Sequence, residues 1–159
     1  GRGTISAMPE LAFEDFKGSQ VFDLGTIAVD GDEMVAFARR FDPQPFHLDP
    51  VAAANNALLG GRLCASGWFT ASLWMRSWAE VVLNRSTALG SPGGNSLSWP
   101  APVFAGDVLS SRAGVLGARP SRSKPGIGLV DVLATLHRGD DCVYRAQFTA
   151  IFGTRVQGS

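Results

Sequence analysis

Ser66-Gly67-Trp68-Phe69-Thr70-Ala71-Ser72-Leu73-Trp74-Met75-Arg76-Ser77-Trp78-Ala79-Glu80-Val81-Val82-Leu83-Asn84 reads as one long helix, and its character decides the fold. Trp68, Phe69, Ala71, Leu73, Trp74, Met75, Trp78, Ala79, Val81 and Val82 fall on nearly every side of it. A helix that is apolar all round is buried in a large core or wrapped by a sheet. Its charged residues, Arg76 and Glu80, share one narrow strip.

Downstream, Gly90-Ser91-Pro92-Gly93-Gly94 has the composition of a flexible loop, and three β-rich segments follow at about 95–104, 107–117 and 127–152. The last carries Gly139-Asp140-Asp141 between two alternating runs, which predicts a hairpin. Upstream, Val21, Asp23, Gly25 and Ile27 alternate with Phe22, Leu24, Thr26 and Ala28, a strand ending at Val29. Asp30 then caps a helix, with Glu33 three residues on in a capping-box arrangement. Met34, Phe37, Ala38 and Phe41 share one face of that helix, which ends at Asp42. Pro50 opens a further short helix capped by Asp49 and broken at Gly60-Gly61. One long central helix against an antiparallel sheet is an α+β pattern.

Between the first two helices lies Phe41-Asp42-Pro43-Gln44-Pro45-Phe46-His47-Leu48-Asp49-Pro50. Prolines at 43, 45 and 50 remove three backbone donors and push the preceding residues toward extended conformations, so the segment is expected to be a stiff loop, neither helix nor strand. A stiff loop holds side chains in fixed register. It carries Asp42 and one of the two histidines, His47, whose ordinary pKa suits proton transfer near neutrality. Asp42 alone reads equally as punctuation of a helix end. His137, among Val130, Val132, Ala134 and Leu136, reads as a structural residue on the opposite face of a half-buried strand.

Asp42-x-x-Pro45-x-His47, followed by Leu48-Asp49 and an Ala-rich helix, resembles the signature of the MaoC-like dehydratases, which include the (R)-specific enoyl-CoA hydratases. Gly61-Arg62-Leu63-Cys64-Ala65-Ser66-Gly67-Trp68 is similar to that family's Gly-Arg-Ile-Ala-His-Gly-Met turn. Leu97-Ser98-Trp99-Pro100-Ala101-Pro102-Val103-Phe104-Ala105-Gly106-Asp107 is similar to its Phe-x-x-Pro-Val-x-x-Gly-Asp stretch. The resemblance covers about residues 20–152. It implies a hot-dog fold, an antiparallel sheet curled around the long helix, with subunits pairing sheet edge to sheet edge as a homodimer. It also implies a hydro-lyase acting on an enoyl thioester carried by CoA or by acyl-carrier protein, with no cofactor. Asp42 and His47 become a catalytic dyad, expected to face one another across a water-sized gap. The Gly67 N–H, at the start of the long helix, becomes the donor to the thioester oxygen as negative charge develops there.

Three positions depart from the family pattern. Gln44 stands where Asn is usual, so any hydrogen bond bracing the loop is redrawn. Ser66 replaces His and reads as a helix cap. Trp68 replaces Met and either lines and shortens the acyl tunnel or packs the core. Arg119, Arg122 and Lys124 sit in a Pro/Gly-rich loop that is either a solvated hairpin tip or a contact for the phosphates of CoA. A hot-dog thioesterase would carry an acidic residue near the start of the long helix, and Ser66 to Trp74 has none. A non-catalytic acyl-thioester binder would lack the dyad.

Composition narrows the remaining classes. A chain of 159 residues, 45% hydrophobic and 18% charged, reads as one globular domain over 8–159, with residues 1–7 an appended or disordered start. A formal net charge of zero argues against nucleic-acid partners. No apolar run reaches the roughly 18 residues of a membrane span and no secretory pattern precedes the domain, so a cytoplasmic protein is expected. Cys64 and Cys142 have neither disulfide nor zinc spacing, and the glycine stretch at 90–94 lacks the order of a phosphate loop.

Overall fold

The computed structural model describes residues 9–155, so residues 1–7, set apart above, lie outside the described residues. The long helix forms over Gly67–Val81 (α4) and stops short of Asn84, because Val82 leaves helical geometry and a 3-10 turn takes over at Leu83–Arg85. It lies against a sheet of five antiparallel strands: β1 (Val21–Ala28), β2 (Ala88–Ser98), β3 (Val108–Pro120), β4 (Ile127–Arg138) and β5 (Asp141–Gly153), in the order β1-β3-β4-β5-β2. Phe69, Leu73, Trp74 and Trp78 of α4 are buried in one cluster with Leu109, Val115, Val130, Val132, Leu136, Val143 and Phe152 of the sheet. The polar groups that α4 carries inward are satisfied there. The Trp74 indole donates to the Arg112 carbonyl at 2.9 Å, and the Ser77 and Ser111 hydroxyls share a bond of 2.7 Å. This is a hot-dog fold of the α+β class.

The sheet does not close round the whole helix. Trp68 and Met75 are 56% and 47% exposed beside β2, so the burial expected of a helix apolar on nearly every side holds for the face toward β3, β4 and β5 and is incomplete on the other. The expected loop at 90–94 is instead part of β2. Its glycines and Pro92 leave three register shifts against β5, which an edge strand bonded on one side tolerates. The hairpin is as expected: Gly139 adopts φ 59° and joins β4 to β5 with Arg138 opposite Asp141.

Three further helices precede α4: α1 (Gly31–Phe41), α2 (Pro45–Leu48) and α3 (Pro50–Ala54). The Asp30 carboxylate caps α1 by accepting from the Asp32 and Glu33 N–H groups, while the Glu33 side chain pairs with Arg76 of α4 at 3.5 Å. Asp42 closes α1, as expected, and Asp49 caps α3 through the Val51 N–H. The segment expected to be non-helical contains α2. Pro45 stands at its first position, where a missing N–H costs nothing and the fixed φ favours a helix. α3 ends at Ala54, before Gly60-Gly61, and a 3-10 turn at Ala57–Leu59 intervenes.

Arg138, the last residue of β4, donates to the Pro102 carbonyl at 2.9 Å and to Asp107 at 2.6 Å, and Asp107 also accepts from the Phe104 N–H. These bonds pin the turn before β3 against the base of the sheet. Among the described residues no helix is long and apolar enough to cross a membrane.

Trp78 is 1% exposed, so Trp78→Ala leaves a large cavity under the sheet. The substitution should lower unfolding free energy by about 3–5 kcal/mol in urea titrations followed by circular dichroism.

Candidate active site

Asp42 and His47 meet because a helix stops and another starts between them. The Asp42 N–H still bonds to Ala38 O at 2.8 Å, but its φ of −151° leaves the helical region and Pro43 prevents continuation. Pro45 then opens α2, and this single turn carries His47 inward until it is 5% exposed. The imidazole Nδ1 lies 2.8 Å from the Cys64 carbonyl oxygen. A carbonyl only accepts, so Nδ1 carries a proton and Nε2 is turned the other way.

Nε2 lies 3.4 Å from Asp42 Oδ2. The separation is smaller than a water lying between them would need, so the expected water-sized gap is closed. A water resting beside the pair can still reach both groups at ordinary hydrogen-bond lengths. The Asp42 carboxylate has further partners. Gln44 Nε2 donates to Oδ1 at 2.6 Å, and the buried Ser66 hydroxyl lies nearby. Burial pushes the Asp42 pKa up, but these two donors and His47 together outweigh it and hold the carboxyl below its ordinary value.

Ser66 precedes α4 and caps it by accepting the Trp68 N–H at 3.3 Å, and its hydroxyl is near enough to the Asp42 carboxylate to help lower its pKa. Gly67 is the first residue of α4, where an N–H has no acceptor within its own helix. The Trp99 ring lies flat against it, and a Cβ at position 67 would come within 2.6 Å of that ring. Asp42, Gln44, His47, Gly67 and Trp68 line one cavity of about 540 Å³, walled further by Leu58, Leu59, Trp99, Pro102 and Val103.

Trp99 was not singled out from the sequence as a site residue, although it stands inside the motif ahead of Pro100. The Cys64 carbonyl gives no sequence signal at all, because every residue has one. The Cys64 thiol is buried and its pKa is pushed up by that burial, which opposes a nucleophilic role. Arg119, Arg122 and Lys124 are not brought to this cavity within one chain. Arg119 pairs with Asp131 at 2.8 Å, and Arg122 and Lys124 are exposed at the start of β4, a strand's length from the Arg138 end that holds Pro102. Twelve residues of strand span roughly 40 Å.

A sheet wrapped on one helix, with an aspartate and a tautomer-locked histidine where two short helices meet, defines the dehydratase-like class of hot-dog proteins. The chain belongs to the MaoC-like domain family, which matches residues 15–135. Among solved structures it is similar to a MaoC-like dehydratase from Rhodospirillum rubrum, at 35% identity and a TM-score of 0.83, covering 92% of this chain and 99% of that one. It is also similar to an (R)-hydratase from A. caviae involved in PHA biosynthesis, at 26% identity and a TM-score of 0.62, covering 89% and 99%. A Bacillus subtilis relative, the uncharacterized protein YdeM, is 26% identical over 141 residues, 89% of this chain and 98% of its own length.

The folded-state pKa of Asp42 is lowered, so its contribution to stability is complete above the unfolded carboxylate value and is lost as pH falls through the folded value. Ser66→Ala removes a donor to the charged form and should raise the Asp42 pKa toward the ordinary range. A carboxylate carbon NMR titration of wild type and variant checks the direction.

Proposed function

We propose that the protein is a hydro-lyase that interconverts a 2-enoyl thioester, carried by CoA or acyl-carrier protein, and the 3-hydroxyacyl thioester. The observation that carries this reading is the dyad itself: His47, its ring oriented by the Cys64 carbonyl, with Nε2 3.4 Å from a carboxylate whose pKa is lowered. Family membership and the similarity to an (R)-hydratase support it.

In this mechanism His47 starts neutral, so both groups of the dyad are acceptors and neither can protonate the substrate before it has taken a proton. A water donating to both is aimed by both. As its oxygen attacks the β-carbon, His47 Nε2 takes one hydrogen as a proton, and the neighbouring Asp42 carboxylate stabilises the imidazolium. The α,β double bond's electron pair moves toward the thioester oxygen, where the Gly67 N–H receives the developing charge. The imidazolium then returns its proton to the α-carbon, and the dyad is restored. Since the hydroxyl and the proton come from one side, addition is syn. Dehydration runs through the same steps reversed.

Asp42→Asn and His47→Gln should each lower the hydration of 2-butenoyl-CoA by at least roughly a hundredfold, followed by loss of the enoyl-thioester absorbance. Asp42→Asn keeps the side-chain shape, and a thermal transition close to that of the wild type would separate lost chemistry from lost fold. Wild-type rates in either variant would sink the mechanism.

The same reading includes a homodimer. β2 is an edge strand bonded only to β5, and Leu89 on it is 62% exposed. A long unpaired edge is a template for a second copy. Sedimentation velocity should give a dimer; a monomer at assay concentrations would remove the edge-to-edge assembly.

A further inference from the structure

A second and larger cavity, about 830 Å³, runs along the open side of α4 between that helix, β2 and β5. Met75, Trp78, Leu97, Tyr144 and Phe148 are among its walls, and no charged side chain lines it. Trp68 is the one residue, among those described, that lines both this groove and the cavity of the dyad. Its indole stands edge-on to Trp99 at a centroid distance of 5.1 Å and an interplanar angle of 81°, and Trp99 is seated on the Gly67 backbone. The two indoles thus form a wall. Trp99 is its fixed half, and Trp68, 56% exposed, is the half standing between the chambers.

We propose that Trp68 is the chain-length determinant of the site: its indole shuts the acyl chain out of an apolar groove that is otherwise built to receive one. This inference rests on the enoyl-thioester reading above. The occupant follows from continuity and chemistry. A chain extending from a β-carbon held at Asp42 and His47 meets Trp68, and the space beyond it is uncharged and mostly apolar, with Ser72, Asn95 and Gln147 among its polar exceptions, so it suits methylenes and nothing ionised. Each methylene that gains such a groove is worth roughly fourfold in kcat/KM. With the indole in place the native protein handles short acyl groups and gains nothing from longer ones.

The test compares wild type, Trp68→Met and the double variant Trp68→Met/Met75→Arg. It measures kcat/KM for 2-butenoyl-, 2-hexenoyl- and 2-octenoyl-CoA, and calorimetric binding of butanoyl- and octanoyl-CoA. The expected result is a wild type that gains nothing with length, and a Trp68→Met variant that gains at least about tenfold from butenoyl to octenoyl. Met75→Arg, which places a charge in the groove, should abolish that gain, with circular dichroism showing the double variant folded. A wild type that already improves with length, a Trp68→Met profile parallel to the wild type, or a gain that survives Met75→Arg would each overturn the proposal. Binding separates this inference from the reading it rests on. A new preference for octanoyl-CoA in a protein that hydrates no enoyl-CoA keeps the partition and drops the hydro-lyase, whereas hydration with no length effect in either assay does the reverse.

Discussion

A helix that places Phe69, Leu73, Trp74 and Trp78 on one face must find apolar surface on a curve as wide as itself, and that requirement organises the molecule. Only a twisted sheet of several strands supplies it. Once β3, β4 and β5 are laid against the two indoles, the Trp74 N–H finds the Arg112 carbonyl and the Ser77 hydroxyl finds Ser111, which sets how far along the sheet the helix lies. The start of α4 is thereby fixed beside the turn that Arg138 pins at Pro102. The cavity is the space left between them.

The site is assembled from helix termini. Asp42 closes α1, His47 rides the single turn of α2, and Ser66 and Gly67 open α4. Helix ends are where backbone and side-chain groups have no obligatory partner inside the helix, and here those unspent groups are turned toward one another. Ser66 stands between the two sides, accepting from Trp68 of its own helix with its hydroxyl near the carboxylate that ends another.

Local rules read the first strand, the cap at Asp30, the end of α1 at Asp42 and the hairpin at Gly139 from the sequence alone, because each depends on residues close along the chain. They failed where pairing or position overrides composition. Gly90 to Gly94 looks like a loop and is a strand because β5 supplies the ladder, and an edge forgives the glycines and Pro92. Three prolines argued against a helix at 43–50, yet Pro45 lands on the one helical position that welcomes it. In the site, Asp42, Gln44 and His47 were legible as a motif. The nearness of Ser66 to Asp42, the seating of Trp99 on Gly67 and the distance of Arg119, Arg122 and Lys124 from the dyad are facts of tertiary placement, which spacing along the chain does not encode.

The atom that orients His47 belongs to the main chain of Cys64. Side chains can be exchanged by single mutations, whereas a carbonyl persists at that position whatever residue occupies it, provided the backbone keeps its course. The choice of tautomer, and with it the direction in which the imidazole offers its lone pair, is inherited with the fold itself. Descendants of this chain are free to replace the cysteine without changing the proton map of the site, and a sequence comparison would register variation there while the chemistry stayed still.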